Sequence, residues 1–481
     1  MPYKLWLKKL LILLLFISLL LPVQVNAAFG DFSIQDEKEL GQKFEVLVTS
    51  RLPLVQDPCV LNYARDLLQK MEEAIPAQPY ELEIHVLQDN SLNAFAAPSG
   101  KIFLHTGLIL ALQDESELAA VLAHELAHVT QRHIAGNIER SKWISLGSLA
   151  GVLAGVLVGG GAAGQALAVG SMAGGQTAAL KYSRSDEREA DQLGLEYLVK
   201  AGYNPQGMAA SFRKIKQHKL LGGSSAEIPE YMLTHPGLES RIGGMEGMVN
   251  RMDSDFLARE SDNSRLRRVQ MLLRARYQDP GRAMAYFQDS EGEQSCLQLL
   301  GKAILQQRSH KMTQAEGTLA KAMQCGGEDP LWQREAGRFY FQQGRFQEAK
   351  PYLEKALSQN PADFMALYYL SRIRAEQGDG EQAARDLQKV LRQVPRNKEV
   401  HTILGRLLGQ QGDEFSGYLH YAYAYLYQNN QERTRYYMQK AKERISNTEE
   451  KQRFSEFQSE YETVSQFWKA KKSRLDTGLV L

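Results

Sequence analysis

Cysteine is scarce. Cys59, Cys296 and Cys325 serve a chain of 481 residues. That is too few for a disulfide scaffold and, with no C-x-x-C spacing, it gives no thiolate zinc site. An excess of one charge is also missing. Lys+Arg 57 against Asp+Glu 56 leaves a net charge of +1, so no basic surplus points to nucleic acid. Disorder is excluded as well, because 43% apolar and 23% charged residues suit packed domains. At roughly 100–200 residues per domain, the length implies two or three. Long hydrophobic runs are few. The run from Leu10 to Leu21 is broken only by Ser18 and falls short of the ~18–20 residues a spanning helix needs.

That run reads as an export leader over residues 1–27. Lys4, Lys8 and Lys9 precede it, Pro22 ends it, and Val25-Asn26-Ala27 offers small residues for cleavage near Ala27. An uncleaved anchor is the alternative. No cysteine follows the cleavage site, which disfavours a lipid anchor. In an oxidising compartment Cys296 and Cys325 could pair, leaving Cys59 over; the sequence does not decide this. Residues 144–180 are rich in Gly and Ala but sparse in strongly apolar residues. They read as closely packed helices or a hairpin rather than a membrane segment.

The chain divides near a polar cluster at residues 252–264, giving domains at 28–260 and 261–481. The second half repeats. Gly344, Gly378 and Gly412 are 34 apart, as are Pro361 and Pro395; Ala349 matches Ala383, Leu353 matches Leu387, and Gly337 and Gly405 lie two periods apart. Small residues at such positions let paired helices approach closely, and proline ends each unit. A weaker unit begins near residue 296, so three to four repeats with degenerate capping helices are expected. A period of 34 resembles the tetratricopeptide repeat, an α-solenoid that holds partners on a concave surface.

In the first half, His124-Glu125-Leu126-Ala127-His128 lies in a strongly helix-forming stretch. Asp114 and Glu117 ahead of it form a capping-box pattern. Histidines four apart share a helix face, so both imidazoles can meet one metal ion, while Glu125, about 100° around the helix, is placed as a general base. A catalytic zinc needs a third protein ligand. Gln131 and Ile134 stand where a metzincin would carry Gly and His, which excludes that family. His133 reads as a helix-surface residue and a rival ligand. The alternative is a carboxylate from a second helix, where Glu187 and Asp191 share a face. Glu187 would ligate, and Asp191 would orient a histidine or move a proton. Asp186, Arg188 and Glu189 read as its solvated face.

His124-Glu125-Leu126-Ala127-His128 followed by Glu187-Arg188-Glu189-Ala190-Asp191, with residues 93–107 and 234–241 alongside, resembles the HtpX/CAAX-protease superfamily of zinc metallopeptidases over about residues 30–250. With the leader and the repeats, the whole chain resembles the periplasmic β-barrel assembly-enhancing proteases of Gram-negative bacteria. The resemblance implies one zinc held by His124, His128 and Glu187. It implies water activation by Glu125 and a second acidic catalytic position at Asp191. It also implies outer-membrane β-barrel proteins and their assembly machinery as clients and partners. Spanning helices of integral-membrane relatives have no convincing counterpart here, so cleavage of prenylated proteins in a membrane is not implied.

Pro98-Ser99-Gly100 signals a turn, and Lys101–His105 is β-prone, either an edge strand beside the zinc cleft that a substrate could extend or an ordinary inner strand. His235 precedes Pro236, which biases it away from helix. It is open to three readings: a fourth ligand or switch that keeps the enzyme latent, an oxyanion donor, or a loop histidine. Arg241 pairs with an acidic residue or stabilises the transition state. The expected fold is mostly α, a zincin-type metallopeptidase domain with a small β-sheet followed by the α-solenoid. The expected function is a periplasmic zinc endopeptidase and chaperone that degrades misfolded or stalled outer-membrane proteins and assists β-barrel assembly. The alternative is a non-proteolytic chaperone or adaptor with a latent site. Peripheral contact with a membrane is compatible with either.

Overall fold

The structure is a computed structural model that describes residues 32–141, 182–221, 231, 235–288 and 295–476. The leader at 1–27, the glycine/alanine stretch 144–180 and Thr234 lie outside the described residues. The first half runs α1 (Ile34–Arg51), α2 (Pro58–Glu72), β1 (Glu83–Leu87), β2 (Ala94–Ala97), β3 (Lys101–His105), α3 (Thr106–Ala111), α4 (Glu115–Thr130), α5 (His133–Ser141), α6 (Arg184–Lys200), α7 (Gln206–Leu221), α8 (Leu238–Val249) and α9 (Ser254–Leu257). The second half continues with α10 (Ser264–Tyr277), α11 (Pro280–Gln288), α12 (Cys296–Arg308), α13 (Met312–Gly326), α14 (Pro330–Gln342), α15 (Phe346–Gln359), α16 (Phe364–Glu376), α17 (Gly380–Gln393), α18 (Lys398–Gln410), α19 (Glu414–Tyr427), α20 (Gln431–Lys442) and α21 (Thr448–Asp476). Among the described residues the chain is thus mostly helical, with one three-stranded sheet in its first half.

The strand order is β1-β3-β2, with β1 parallel and β2 antiparallel to β3. Of the two readings of Lys101–His105, edge or inner strand, the structure gives the inner one: it is the central strand. All five of its residues are buried. Phe103 stacks on Phe95 and on His85, ring centroids 5.0 Å apart in each case. A run buried on both faces carries no alternation to reveal its place in the sheet. The edge beside the site is β2.

Helix α4 runs through the main core, every residue from Ser116 to Val129 buried. Its start carries the full capping box: Asp114 accepts from the Ser116 backbone at 2.8 Å, and Glu117 accepts from the Asp114 backbone at 3.3 Å. The polar cluster at the join is not a free linker. Asn263 accepts from the Glu115 N–H at 2.7 Å and donates to Asp114 at 2.8 Å, and Ser261 donates to Asp114 at 3.0 Å. Polar side chains that read as linker composition thus satisfy the N-terminal amides of the central helix.

In the second half the helix pairs α12/α13, α14/α15, α16/α17 and α18/α19 recur with a 34-residue offset, and α20/α21 continues them. The repeated glycines end the first helix of a pair in left-handed geometry, with φ of 75° at Gly344, 88° at Gly378 and 87° at Gly412, a conformation glycine adopts at least cost. His310 occupies the same place one period earlier, with φ 58°, and there the repeat fades in sequence. Gly337 marks a close approach, because a Cβ there would lie 2.6 Å from Leu353 Cγ. Cys296 and Cys325 form a disulfide that joins α12 to α13, Cα atoms 5.7 Å apart. Cys59 is free, and burial pushes its thiol up to about 12, so it is inert. Among the described residues no helix is long and apolar enough to cross a membrane.

Candidate metal centre

Two helices build the centre. On α4, His124 and His128 point the same way, with Nε2 atoms 3.1 Å apart. On α6, begun by a Ser183/Asp186 capping box, Glu187 and Asp191 face them. Asp186 is therefore a buried cap rather than a solvated charge. Gly194, further along that face, brings the backbones together, since a Cβ on it would sit 3.1 Å from His124 Cα. Glu187 Oε2 lies 3.6 Å from His124 Nε2, and Oε1 lies 3.7 Å from His128 Nε2. His235, just before α8, completes the group, its Nδ1 3.3 Å from His124 Nε2 and 2.9 Å from Glu187 Oε1.

His124, His128, Glu187 and His235 form a group able to hold a metal ion, one donor atom of each lying within 4.8 Å of the others. A four-coordinate zinc with bonds of about 2.0–2.2 Å leaves donors roughly 3.3–3.6 Å apart, and the spacings above scatter around that value. The donor set, three imidazoles and a carboxylate, is zinc chemistry. The surrounding hydrogen bonds aim the rings. His124 Nδ1 lies 3.1 Å from Asp191 Oδ1, and His128 Nδ1 lies 2.8 Å from His133 Nδ1. Both contacts leave Nε2 for the ion. His133 is therefore buried beside His128 and not on the helix surface; its Nε2 reaches Glu189 at 3.4 Å.

Burial opposes charge throughout, and the partners decide which groups keep it. Burial works against a proton on His124, but the Asp191 and Glu187 carboxylates overcome it and hold its pKa at about 9. An incoming cation would have to displace that proton. Burial and the charge on His124 hold His128 well below the ordinary histidine value. Burial pushes Glu187 up, but His235, His124 and Arg241 bring it well below the usual carboxylate range. For Glu125 burial prevails and its pKa is raised. Arg241 grips Asp191 with both ends of its guanidinium, Nε at 2.7 Å and Nη2 at 2.6 Å, and also pairs with Glu187.

Glu125 accepts a hydrogen bond from the Ala96 N–H of β2 at 3.1 Å, and its other oxygen lies 3.5 Å from His235 Nε2. The edge strand and the glutamate are therefore in direct contact. The centre is closed: His124, Glu125, Glu187 and His235 are 0% exposed. Tyr182 stacks on His128, centroids 3.7 Å apart, and Tyr231 stacks on His235 at 4.2 Å. The two tyrosines and the Ala96 amide have no motif in the sequence, and His133 was legible there only as a rival ligand.

Residues 62–249 match the family description Peptidase family M48, and residues 340–412 match the tetratricopeptide repeat. The chain is 30% identical over 239 residues to the beta-barrel assembly-enhancing protease of Escherichia coli (strain K12), covering 48% of this chain and 47% of that one. It is 31% identical over 274 residues to a putative beta-barrel assembly-enhancing protease of Vibrio cholerae, covering 56% of each. It is 28% identical over 243 residues to the mitochondrial metalloendopeptidase OMA1 of Schizosaccharomyces pombe, covering 49% of this chain and 68% of that one. The chain spans about half the length of the beta-barrel assembly-enhancing relatives it matches. With two helix-borne histidines, a carboxylate from a second helix and a helical repeat array following them, the chain contains a peptidase family M48 region at residues 62–249 and tetratricopeptide repeats at residues 340–412.

Proposed function

We propose that the protein is an exported zinc endopeptidase, with one zinc per chain held by His124, His128 and Glu187. Its peptidase domain spans residues 28–260 and its recognition arm residues 261–481. The buried donor group with Glu125 beside it carries this reading. A zinc ion there would supply Lewis acidity to a peptide carbonyl and to water. Glu125 takes the proton from the attacking water; burial raises its pKa above the ordinary glutamate value. Asp191 positions His124 and Arg241. An extended substrate pairs with the β2 edge, placing its carbonyl by Glu125.

Periplasmic location is supported by the disulfide, which persists in oxidising compartments, and by the leader-like sequence. The relatives' names support outer-membrane β-barrel proteins, misfolded or stalled, as clients, and the β-barrel assembly machinery as partner of the repeats. The second reading, a non-proteolytic chaperone or adaptor, is favoured by one observation: His235 and the two tyrosines close the centre. Digestion of casein or an unfolded porin decides between them. Wild type should cleave and Glu125→Gln should not. Full activity in Glu125→Gln refutes the base assignment, and β-barrel assembly fully supported by Glu125→Gln makes the binding role the dominant one.

A further inference from the structure

A cleft of about 490 Å³ opens at the Asp191–Arg241 pair, between the start of α6 and one face of α8. Its floor is apolar, with Met245 and Met248. Its α8 wall is cut back at Gly244, where a Cβ would meet nothing within 4 Å. Glycine is a poor choice inside a helix, so helix stability does not explain it, whereas an open cleft does. The rim is basic. Arg184 and Arg188, one turn apart on α6, both line the cleft and both are exposed. Among the described residues neither has an ion-pair or hydrogen-bond partner, although nearby cations do: Arg213 pairs with Glu246, and Lys216 lies 3.2 Å from Glu239. Arg184 also stands in the first turn of its helix, the end where a cation is least favoured. Asp191 is already committed to Arg241 and His124, so the cleft offers unneutralised positive charge above an apolar floor. Arg241, at its inner end, contacts Glu187 of the donor group.

We propose that this cleft is a substrate subsite for an extended peptide segment in which an Asp or Glu side chain flanks an apolar residue. The carboxylate meets Arg184 and Arg188, and the apolar side chain fills the space beside Gly244 and Met245. Arginine suits this task because its planar fork holds a carboxylate with two hydrogen bonds. The inference rests on the peptidase reading, since it makes the cleft a determinant of which segments are cut.

The test is binding to the full chain carrying Glu125→Gln, so that no hydrolysis is required. Two fluorescent peptides are compared by anisotropy, one with Glu-Leu-Asp and one with Lys-Leu-Lys at its centre, both amidated so that no terminal carboxylate is present. The acidic peptide should bind at least about ten-fold tighter, a difference expected of a pair of charge-assisted contacts. Adding Arg184→Glu and Arg188→Glu should reverse the ranking at an unchanged melting temperature, because both side chains are exposed. Gly244→Phe should weaken the acidic peptide while leaving its preference over the basic one. Equal affinities in the parent, or a double variant that shifts both peptides alike, overturn the subsite. So does tighter binding of a neutral peptide with a free C-terminus, which would mean capture of a chain end instead. Casein cleavage by the wild type separates the two proposals. Cleavage without the ranking refutes the subsite alone, and the ranking without cleavage refutes the peptidase reading, leaving the cleft a peptide-binding site that selects no cleavage.

Discussion

His235 touches both halves of the centre, Glu187 through Nδ1 and Glu125 through Nε2. One imidazole thus holds the fourth corner of the donor group and occupies the general base. If it acts as a plug, removing it frees both, and His235→Ala should digest casein faster than wild type. If it donates to the developing oxyanion, the same change should cost roughly 10²–10³ in rate, the usual loss of such a donor. A rate comparison at matched zinc loading tells them apart, and the plug reading expects the gain. At this scale the sequence was informative where spacing encodes geometry. His124 and His128 share a face because they are four apart, and Glu187 and Asp191 do so for the same reason. It was silent where the contact is made by a backbone amide, as with Ala96 on Glu125, or by a ring whose neighbours come from another segment, as with Tyr182 on His128. His133 reads as a surface residue from its place just past α4, but the turn at Arg132, φ 51°, sends the chain back over His128.

Helices α4 and α6 supply three of the four donors, so their separation sets the centre. Gly194 fixes it. Alanine there would gain up to about 1 kcal/mol in helix propensity, partly masking the steric cost. Valine adds more bulk for a smaller gain and should cost about 1–3 kcal/mol by overpacking. It pushes α6 away at the level of His124. Gly194→Val is therefore expected to weaken zinc binding more than ten-fold while remaining helical, read by zinc titration beside circular dichroism. The start of α4 was legible, with Asp114 and Glu117 a capping box in both sequence and structure, whereas in the Ser183/Asp186 box that starts α6 the aspartate reads from sequence as solvated charge. The repeat was legible from its 34-residue period. Its first unit was faint because His310 replaces the glycine that marks the turn elsewhere. The sheet order was not legible, because β3 is buried on both faces and its neighbours come from different parts of the chain.

Across the whole molecule the repeats grip the first half through a buried charge network. Asp57 caps α2 and meets Arg276 of α10 and Arg334 of α14, the latter at 3.1 Å. Arg334 also reaches Glu335 at 2.9 Å and Asp363 at 3.3 Å. At the other end a half-buried cluster adds to it, Arg396 binding Glu45 at 2.8 Å and Glu460 at 3.1 Å. No local pattern predicts a partnership 277 residues apart. Breaking one member leaves buried carboxylates without their cation, so Arg334→Met should cost about 3–5 kcal/mol in denaturant unfolding. Acid should probe the same network. Burial would raise Glu335, but Arg276, Arg334 and Arg338 hold it down at about 2. A depressed carboxylate contributes stability that is complete above its ordinary pKa of about 4.3 and is lost as pH falls towards 2. Asp363, raised by burial, works in the opposite direction and offsets part of the loss. Arg334→Met should therefore show a shallower decline in stability over that pH range than wild type.

The convergence of two helices, 63 residues apart from His124 to Glu187, on one ion underlies all of this. Metal analysis with competitive zinc titration of the purified full chain tests it most directly. The wild type should hold one zinc per chain, and Glu187→Gln should bind it more than about 100-fold more weakly, since even a residue behind a ligand is worth 10–100-fold. Equal zinc content and affinity in the two proteins would contradict the account.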